Sequence, residues 1–470
     1  MSYDVAVIGG GISGLATAYE LQARGLNVIV LERQIRAGGN AVSERLDGYL
    51  MEHGPSTVNA LSSAALGLSA RVALTNEQCE LGAGVKRRYL VGDGELQGIP
   101  AHPLGFLASD YLSVKGRLRL MMEFMVPRYR SEREESIADF SARRFGKEFA
   151  DKVIDPLVAG IYAGRADELS VTAGFPKLAQ LEQAHGSIAA GLVKRHRQGA
   201  KMPSSRLFSW KNGIGTLPSA LARSLGARVR TGVTVRCIRR SGDGFAVDVG
   251  AAGSVKAGAL VMATQPHVAA CMLESLDDIA AGAAGAIVAP PLAVVYLGYR
   301  RGRVAHPLDG LGFLSPENEG LNMSGSQFCS TMFPGRAPEG HVSLAAYFGG
   351  ARAPHLAELP ASELIALARE EFAGLLGASG EPEVACVRHW PRGLPQYRLG
   401  HQERVANLMD AERRVPGLFI TGNYFSGPAV AECITRAGDT AERVIVNIRD
   451  QMNVAAPIWS SATSTQAVVA

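Results

Sequence analysis

Short aliphatic runs recur at the start, middle and end of the chain, and they predict the strands of one buried sheet. Residues 5–8, 28–31, 259–263 and 417–422 are apolar runs without a charged residue. Continuous apolar runs of this length are typical of parallel strands that are covered on both faces. A helical pattern from residue 430 to about residue 449 follows the last run. Because the runs lie far apart in sequence, they indicate a discontinuous domain.

A glycine-rich turn separates the first strand from the helix that follows it. Gly9, Gly11 and Gly14 form this turn, and Glu32 ends the second strand. In this arrangement the first glycine allows a tight turn, the second lets the backbone approach phosphates, and the third lets the helix pack closely on the strand. The helix N-terminus favours negative charge, and an acid after the second strand binds a ribose 2′-hydroxyl. The pattern predicts a dinucleotide site for FAD or NAD rather than NADP.

The rest of the pattern predicts a hairpin, a helical region and further strands. Alternating residues around Gly92 and Gly94 predict a hairpin over 85–100, and mixed apolar and charged residues predict helices over 105–200. The strand at 227–236 is expected to pair with the strand at 244–249. The predicted fold class is α/β: a Rossmann-like nucleotide domain (1–85, 205–265 and 400–450), a mainly helical insertion (86–204), a mixed-sheet substrate domain (266–399) and a flexible tail (453–470).

Two apolar segments raise the question of membrane contact. Residues 279–299 carry no charge, but Pro290 and Pro291 divide them, so we expect a buried helix end followed by a strand at 292–297. Residues 114–129 mix Leu, Met and Phe with Lys and Arg. This mixture is equally consistent with a helix on a membrane surface and with an amphipathic helix packed on its own domain. The sequence leaves these two alternatives open.

Composition limits the classes of partner and the compartment. The 470 residues carry a net charge of +4, which gives no reason to expect nucleic acid. The six cysteines are scattered without a CxxC pair, so we expect neither a disulfide framework nor a metal site, and a reducing cytosol is favoured. The first strand begins almost at Met1, so we expect no signal peptide. We therefore expect a cytoplasmic protein, either free or peripheral on the inner face of the cytoplasmic membrane.

Several longer motifs resemble one family of flavoenzymes. The glycine turn, Glu32, the glycine pair at 38–39 and the segment at 422–423 together resemble the FAD-dependent amine oxidase superfamily. Within it, further segments resemble the oxygen-dependent protoporphyrinogen oxidase family; they are residues 36–43, 48–55, 154–170, 332–338, 390–401 and 421–433. These segments occur in order along nearly the whole chain. The resemblance implies FAD as the cofactor and dehydrogenation of protoporphyrinogen IX to protoporphyrin IX, with O2 reoxidising the flavin.

The resemblance also implies which residues line the FAD. They are Gly9, Gly10, Gly11, Ile12, Ser13, Gly14, Glu32, Arg33, Gly38, Gly39, Asn40, Gly54, Pro55, Ser56, Thr57, Val233, Ala263, Trp390, Gly422, Asn423, Pro428, Ala429 and Val430. Val233 would meet the adenine side with its backbone, and Trp390 would flank the cofactor. The amides of Ala429 and Val430 would lie near the flavin ring at a helix start, where partial positive charge stabilises the anionic reduced flavin.

Two positions depart from the family pattern. The family often has Asn where this chain has Ser56, and Val where it has Pro428. Since proline has no backbone N–H, the second change removes one donor beside the flavin. We expect both changes to affect the tuning of the flavin rather than its binding.

The same resemblance implies a tetrapyrrole site. Arg88 matches an arginine that holds a propionate, because a guanidinium forms two parallel bonds to a carboxylate. Leu314 and Phe333 match apolar side chains that sandwich the macrocycle, and Gly160 belongs to the same set. No side chain is assigned as a catalytic acid, base or nucleophile, because hydride transfer to flavin N5 carries the reaction. The histidine at position 401 is assigned a structural hydrogen bond.

The sequence leaves other functions open. Coproporphyrinogen III is the close alternative substrate, and its two extra carboxylates would need cations such as Lys86, Arg87 or Arg352 near the pocket mouth. An amine oxidase or a polyene desaturase of the same superfamily is a more distant alternative, and a non-catalytic flavoprotein that serves as a membrane-associated partner is a third. A homodimer is common in the family, and the sequence leaves the oligomeric state open.

Overall fold

The computed structural model describes residues 2–100, 103–198 and 206–455 of the chain. The strands, in chain order, are β1 (Ser2–Ile8), β2 (Val28–Leu31), β3 (Ser43–Leu46), β4 (Tyr49–Glu52), β5 (Val58–Asn59), β6 (Gln78–Glu80), β7 (Arg87–Gly92), β8 (Glu95–Ile99), β9 (Leu207–Trp210), β10 (Val229–Arg230), β11 (Cys237–Ser241), β12 (Gly244–Asp248), β13 (Ser254–Met262), β14 (Leu292–Arg300), β15 (Gly310–Leu314), β16 (Met323–Phe328), β17 (His341–Gly349), β18 (Val384–Trp390) and β19 (Leu418–Ile420).

The α-helices are α1 (Ile12–Ala23), α2 (Ser63–Arg71), α3 (Pro103–Ala108), α4 (Val114–Met121), α5 (Ile137–Phe145), α6 (Lys147–Phe149), α7 (Asp155–Tyr162), α8 (Val171–Gly174), α9 (Pro176–His185), α10 (Ile188–Arg197), α11 (Thr216–Leu225), α12 (Pro266–Leu273), α13 (Asp278–Gly285), α14 (Cys329–Met332), α15 (Ala361–Leu376), α16 (His401–Arg414) and α17 (Val430–Ala455). Short 3₁₀ turns include Met122–Met125 and Pro354–Glu358, and a π-helical turn at Ala150–Ile154 precedes α7.

The first sheet has a parallel core in the order β10-β2-β1-β13-β19. The apolar runs predicted as strands lie in it, which confirms the predicted α/β class with a Rossmann-like sheet. The first half of β13 also pairs antiparallel with β12, which pairs with β11. Because the core strands are parallel, their carboxyl ends share one edge. The glycine turn after β1, the acid after β2 and the segments after β13 and β19 therefore meet there.

One predicted pairing is wrong. The segment at 244–249 pairs with β11 rather than with residues 227–236, because the turn at Gly242 and Asp243 connects β11 and β12 as a tight hairpin. β10, from the expected partner segment, instead extends the parallel core beside β2. Gly232, with a φ of +69°, follows β10 in the left-handed region, where the chain leaves the sheet.

Helices cover both faces of the first sheet. Helices α1, α11 and α17 pack on one face, and α12, α13 and α16 pack on the other. Ala269 and Leu273 of α12 and Ala280 and Ala284 of α13 are fully buried in this second core. The core of the first sheet therefore extends beyond residue 265, where the sequence placed the domain boundary.

The second sheet has the order β18-β14-β17-β16-β15-β7-β8, and only its β15–β7 pair is parallel among the described strands. The predicted hairpin at 85–100 is confirmed as β7 and β8. One face of this sheet packs on α15 through Leu364, Ala368 and Phe372. The other face of this sheet packs on Met51 of β4.

Helices α3 to α10 confirm the helical pattern predicted for residues 105–200 as far as residue 198, and the last two residues of that range lie outside the described part of the chain. A buried ion-pair cluster holds them together: Arg144 is fully buried, and its Nη2 lies 2.7 Å from Glu123 Oε1. Glu123 in turn accepts hydrogen bonds at the start of α10, from Ser187 Oγ and the Ile188 amide. This network fixes the 3₁₀ turn after α4 against α10.

The predicted helix end and strand at 279–299 are confirmed. Helix α13 ends at Gly285, and β14 begins at Leu292, immediately after Pro290 and Pro291. Within the described ranges, no helix is both long enough and apolar enough to cross a bilayer. Helix α17 continues to Ala455, into the segment predicted as a flexible tail, and residues 456–470 of that segment lie outside the described part of the chain.

Candidate active site

The glycine turn after β1 forms a cradle that side chains would fill. A Cβ at Gly14 would lie 2.0 Å from the carbonyl oxygen of Gly9, and a Cβ at Gly9 would lie 2.7 Å from that of Ala263. Gly39 packs closely against Gly11, since a Cβ added at Gly39 would lie 3.1 Å from the Gly11 Cα. At Gly11 itself the nearest atom to an added Cβ is 4.0 Å away. The turn is therefore tightly packed behind Gly11 and open in front of it.

Two helix N-termini lie side by side at this cradle. No side chain caps α1, so the amides of its first turn, which include Ile12 and Ser13, have no intrahelical acceptor. The Ser13 hydroxyl contacts the thiol of Cys433 in the first turns of α17, and Thr17 Oγ1 donates to the Ala437 carbonyl over 3.4 Å. The start of α17 at Val430 thus lies beside the start of α1. Together the two helices direct partial positive charge at one cleft.

Glu32 is held in a fixed orientation beside the cradle. It is 9% exposed, and its two carboxylate oxygens accept hydrogen bonds of 2.7 Å from the amides of Gly10 and Gln34. The Val233 amide donates to the Glu32 carbonyl over 2.9 Å, which brings that backbone segment to the same place. Each carboxylate oxygen keeps a second lone pair for a ribose hydroxyl.

The remaining cofactor candidates surround this cleft. The Gly38 amide donates to the Gly10 carbonyl over 2.7 Å, and a Cβ at Gly54 would lie 2.0 Å from the Asn40 carbonyl oxygen. The Thr421 amide donates to the Met262 carbonyl, which brings the 422–423 segment next to Ala263. Arg33 is exposed, as is Ala429, and Pro428 is half-buried directly before α17.

The segment after β4 lies along the second sheet. The hydroxyl of Tyr296 accepts a hydrogen bond of 2.7 Å from the Glu52 amide, and the indole N–H of Trp390 donates to the His53 carbonyl over 2.5 Å. Ser56 Oγ lies 3.0 Å from Gln327 Oε1. Pro55 and Thr57, in the same segment, are half-buried. The predicted cofactor loop therefore spans the two sheets.

We call the side of the second sheet that contacts this loop the platform. One row of side-by-side positions crosses it, and the row consists of Arg388, Val294, Tyr347, Gly325, Leu314 and Leu90. Residues that alternate with these point to the opposite face and pack on α15. The middle of the row has no side chain at Gly325. The platform thus has an apolar floor with one guanidinium at its β18 end.

Three of the four substrate candidates lie at the β7 end of the platform. Arg88 is two residues before Leu90 on β7, so both side chains lie on the platform side, and Arg88 is exposed. A Cβ at Gly160 would lie 2.6 Å from Leu314 Cδ2, so α7 packs directly on Leu314. The structure therefore brings Arg88, Leu314 and Gly160 together.

Phe333 is placed differently. It follows α14, outside the rows of the platform, and is 3% exposed. The guanidinium carbon of Arg336 lies 5.4 Å from the centre of its ring and covers one face. Its assignment to the substrate stays a prediction that rests on the resemblance.

Sequence analysis missed Tyr347, Gln327 and Arg388. Tyr347 is central in the platform row and stays half-exposed, although burial raises the pKa of its hydroxyl well above the usual range. The alternation of residues along β17 could have shown which face of the sheet Tyr347 lies on. Ala345 and Tyr347 lie on one face, and they alternate with Leu344, Ala346 and Phe348 on the other. That signal gives the face of a strand, but not which neighbouring strand completes the site.

His53 and His401, which lie near the site, have structural partners. Nε2 of His53 lies 2.8 Å from Glu44 Oε2, and burial lowers the pKa of this imidazole. His401 stacks on Tyr397 at 4.2 Å between ring centres, and its Nε2 lies 2.9 Å from the Tyr424 carbonyl oxygen. The structural hydrogen bond predicted for His401 is confirmed.

His401 makes the folded protein sensitive to mild acid. Burial lowers the pKa of His401 to about 4, from 6.5, so the unfolded chain binds the proton more tightly than the folded one. Stability is therefore unaffected above about pH 6.5 and falls as the pH drops from there towards about 4. We expect protonation of His401 to lower the free energy of unfolding by about 2 kcal/mol between pH 7.5 and pH 5. Urea unfolding of wild type and His401→Gln at both pH values measures this loss, and an equal loss in the two proteins would refute it.

The sequence profile described as "Flavin containing amine oxidoreductase" matches residues 12–445, which is most of the chain. The chain belongs to the flavin-containing amine oxidoreductase family. It is an oxidoreductase whose cofactor is FAD. This agrees with the geometry of the cradle, and it confirms the superfamily and the cofactor that the motifs implied.

Relatives within the family are similar over nearly their whole length. The chain is 31% identical over 475 residues to a chloroplastic protoporphyrinogen oxidase of Oryza sativa subsp. japonica, covering 94% of this chain and 88% of that protein. It is 29% identical over 450 residues to a coproporphyrinogen III oxidase of Bacillus subtilis (strain 168), covering 92% and 95%. The crystal structure of a putative protoporphyrinogen oxidase from Exiguobacterium sp. 255-15 has the same fold, with a TM-score of 0.82 at 21% identity over 95% and 98% of the two chains.

The donor set of the cleft fits FAD. The open face of Gly11 and the uncapped start of α1 suit a diphosphate, and the oriented carboxylate of Glu32 suits a ribose. The start of α17 suits a group that gains negative charge on reduction. The loop at 54–57, held on the platform, would contact such a ligand where the two sheets meet.

Proposed function

We propose that this protein is an oxygen-dependent protoporphyrinogen oxidase. It would remove six hydrogens from protoporphyrinogen IX in three two-electron steps, with three O2 reduced to hydrogen peroxide. Bound FAD would supply the hydride acceptor at N5. The residues of the chain would bind the macrocycle, orient a carbon towards the flavin and exclude water.

This proposal rests on one observation, which is that the cradle and the platform are connected by a loop. The loop of Glu52 to Thr57 connects them through Tyr296, Trp390 and Gln327. An apolar floor suits a flat macrocycle, and Arg88 at one end suits a propionate. Relatives named protoporphyrinogen oxidase, similar over most of the chain, support the same substrate.

The pairing of the cations that could hold extra carboxylates favours protoporphyrinogen over coproporphyrinogen. Arg352 is 10% exposed, and its Nη2 lies 2.6 Å from Asp155 Oδ2, so its charge is already neutralised. Arg87 is paired with Asp309 at 3.6 Å. Two of the three cations that could hold extra carboxylates are therefore engaged. The similarity to the Bacillus subtilis coproporphyrinogen III oxidase keeps the second substrate as the candidate to be compared.

An anaerobic flavin-bleaching assay tests the proposal. Purified holoenzyme is mixed with each porphyrinogen without oxygen, and the flavin absorbance is followed before and after air is admitted. We expect fast bleaching with protoporphyrinogen IX, slower bleaching with coproporphyrinogen III, and recovery with peroxide formation in air. Bleaching by neither porphyrinogen would contradict the proposal, and faster bleaching by coproporphyrinogen would assign that substrate instead.

Arg88 is expected to act through substrate affinity. Loss of one charged hydrogen-bonding pair in Arg88→Ala should lower kcat/KM about 10- to 100-fold, mainly by raising KM. The control is Arg87→Ala, since the preceding side chain points to the other face of β7. Steady-state kinetics with protoporphyrinogen IX compare the two. Equal losses in both variants would show that Arg88 acts only through surface charge.

We further propose that the segment after Leu112 rests on an anionic membrane surface. Its apolar side chains are half to two-thirds exposed instead of packed on their own domain; they are Val114, Leu118, Met121, Phe124 and Met125. The adjoining α10 ends in Lys194, Arg195 and Arg197, all exposed. An apolar face beside basic residues is typical of peripheral membrane binding. In a flotation assay with phosphatidylglycerol vesicles, the wild type should rise with the vesicles, and the double variant Phe124→Ser/Met125→Ser should stay in the lower fractions. Equal flotation of both proteins would refute this proposal.

A further inference from the structure

Arg388 has no acidic partner in the described part of the chain, although it is half-buried on the platform. Its guanidinium carbon lies 4.8 Å from the centre of the Trp390 ring, and Trp390 is fixed by its bond to the His53 carbonyl. Its Nε is buried and has no hydrogen-bond acceptor among the described residues. A half-buried guanidinium without a counter-charge is unfavourable, so this position points to an anion that binds there.

A second arginine approaches the same space from the first sheet. Arg36 follows Glu32 and is half-buried, and its Nη2 donates to the Gly39 carbonyl over 3.1 Å. Gly39 packs against Gly11 at the start of α1, so Arg36 is anchored beside the cradle. The loop after β4 brings the two arginines together: Trp390, which carries Arg388 on its ring, binds the His53 carbonyl, and the next residue, Gly54, packs against the Asn40 carbonyl beside Gly39, which accepts from Arg36. Burial, and next the charge of Arg388, lower the pKa of Arg36, which agrees with this placement.

We infer that Arg388 reaches across from the second sheet and, with Arg36, binds the diphosphate of FAD opposite the N-terminus of α1. The diphosphate carries two negative charges, which match the two guanidinium groups, and arginine binds phosphate oxygens through paired N–H donors. The cofactor then connects the two sheets electrostatically, in addition to the contacts made by the loop after β4. Trp390 keeps the Arg388 side chain extended for this contact through the cation–π interaction.

This role is measured through cofactor affinity, independently of any porphyrinogen. FAD release from holoenzyme is followed by equilibrium dialysis at increasing KCl, and ADP and adenosine are used as competitors that displace FAD. The variants are Arg388→Met and Arg388→Lys. The control is Arg240→Met, because Arg240 stacks on Phe245 at the same 4.8 Å but lies on β11, at the far edge of the first sheet.

We expect Arg388→Met to raise the Kd of FAD about tenfold at low salt, with a smaller effect at high salt. The dissociation constant of ADP, which contains the diphosphate, is obtained from its competition with FAD and should rise by the same factor, and the dissociation constant of adenosine should not change. Arg388→Lys should recover part of the affinity, and Arg240→Met should bind FAD as wild type does. An unchanged Kd of FAD would overturn the inference. Weaker FAD binding with an unchanged dissociation constant for ADP would overturn it too, because that result assigns the contact to the flavin end. Failure here leaves the porphyrinogen assay unaffected.

Discussion

Gly14→Ala is expected to purify without FAD. The added Cβ would lie 2.0 Å from the Gly9 carbonyl oxygen and 3.1 Å from the Ala263 Cβ, so the turn after β1 and the start of α1 would have to separate. Both groups belong to rigid backbone or to a buried strand end, and overpacking at such a place costs at least about 1–3 kcal/mol. The displaced helix start would no longer direct its amides at the diphosphate, so cofactor binding should fail before the fold does.

The matched control is Gly282→Ala, also a helical glycine, where an added Cβ meets no atom within 4 Å. The ratio of flavin to protein absorbance measures occupancy, and far-ultraviolet circular dichroism measures the fold. We expect a colourless but helical Gly14→Ala and a yellow Gly282→Ala. Wild-type occupancy in Gly14→Ala would show that the turn can relax around the extra methyl group.

Arg336→Met is expected to lose about 3–5 kcal/mol of unfolding free energy, because it leaves Glu52 buried without its counter-charge. Arg336 and Glu52 are 2% and 5% exposed at their side chains, and Arg336 Nη1 lies 2.8 Å from Glu52 Oε1. Burial already raises the pKa of Glu52 even beside this arginine. Without Arg336 the carboxyl group should become still harder to ionise, so the loss should be smaller at acidic pH, where Glu52 is protonated.

Denaturant unfolding of wild type, Arg336→Met and the double variant Arg336→Met/Glu52→Gln measures this effect at two pH values. The double variant removes both charges and keeps the hydrogen-bonding shape of the side chain that faces Ser43 and the Ile214 amide. It should be more stable than Arg336→Met. A single variant within about 0.5 kcal/mol of wild type would show that water or a rearranged partner replaces the guanidinium.

The parallel core and its ligand edge were predictable because they depend on short-range features. Aliphatic runs show which strands are buried on both faces, and the glycines at 9, 11 and 14 mark a turn where the backbone approaches itself. The carboxyl ends of parallel strands must then meet at one edge, so the positions of Glu32 and Gly422 followed from the topology.

The platform was not predictable, because it depends on register between strands far apart in sequence. Leu90, Leu314 and Gly325 become neighbours only when β7, β15 and β16 align, and no local pattern sets that alignment. The same limit explains why Tyr347 and Arg388 were missed. The pairing of β12 was misjudged for the opposite reason, since a nearby turn gave it a closer partner than the one expected.

The order of the parallel strands has a consequence for biosynthesis. β1 pairs with the nearby β2, but Val5 also pairs with Ala259 of β13, and Val261 of β13 pairs with Phe419 of β19, so the parallel core stays incomplete until segments far downstream are made. Contacts of such long sequence separation slow folding and leave apolar strands exposed during translation. The nascent chain should therefore depend on chaperones until β19 has emerged.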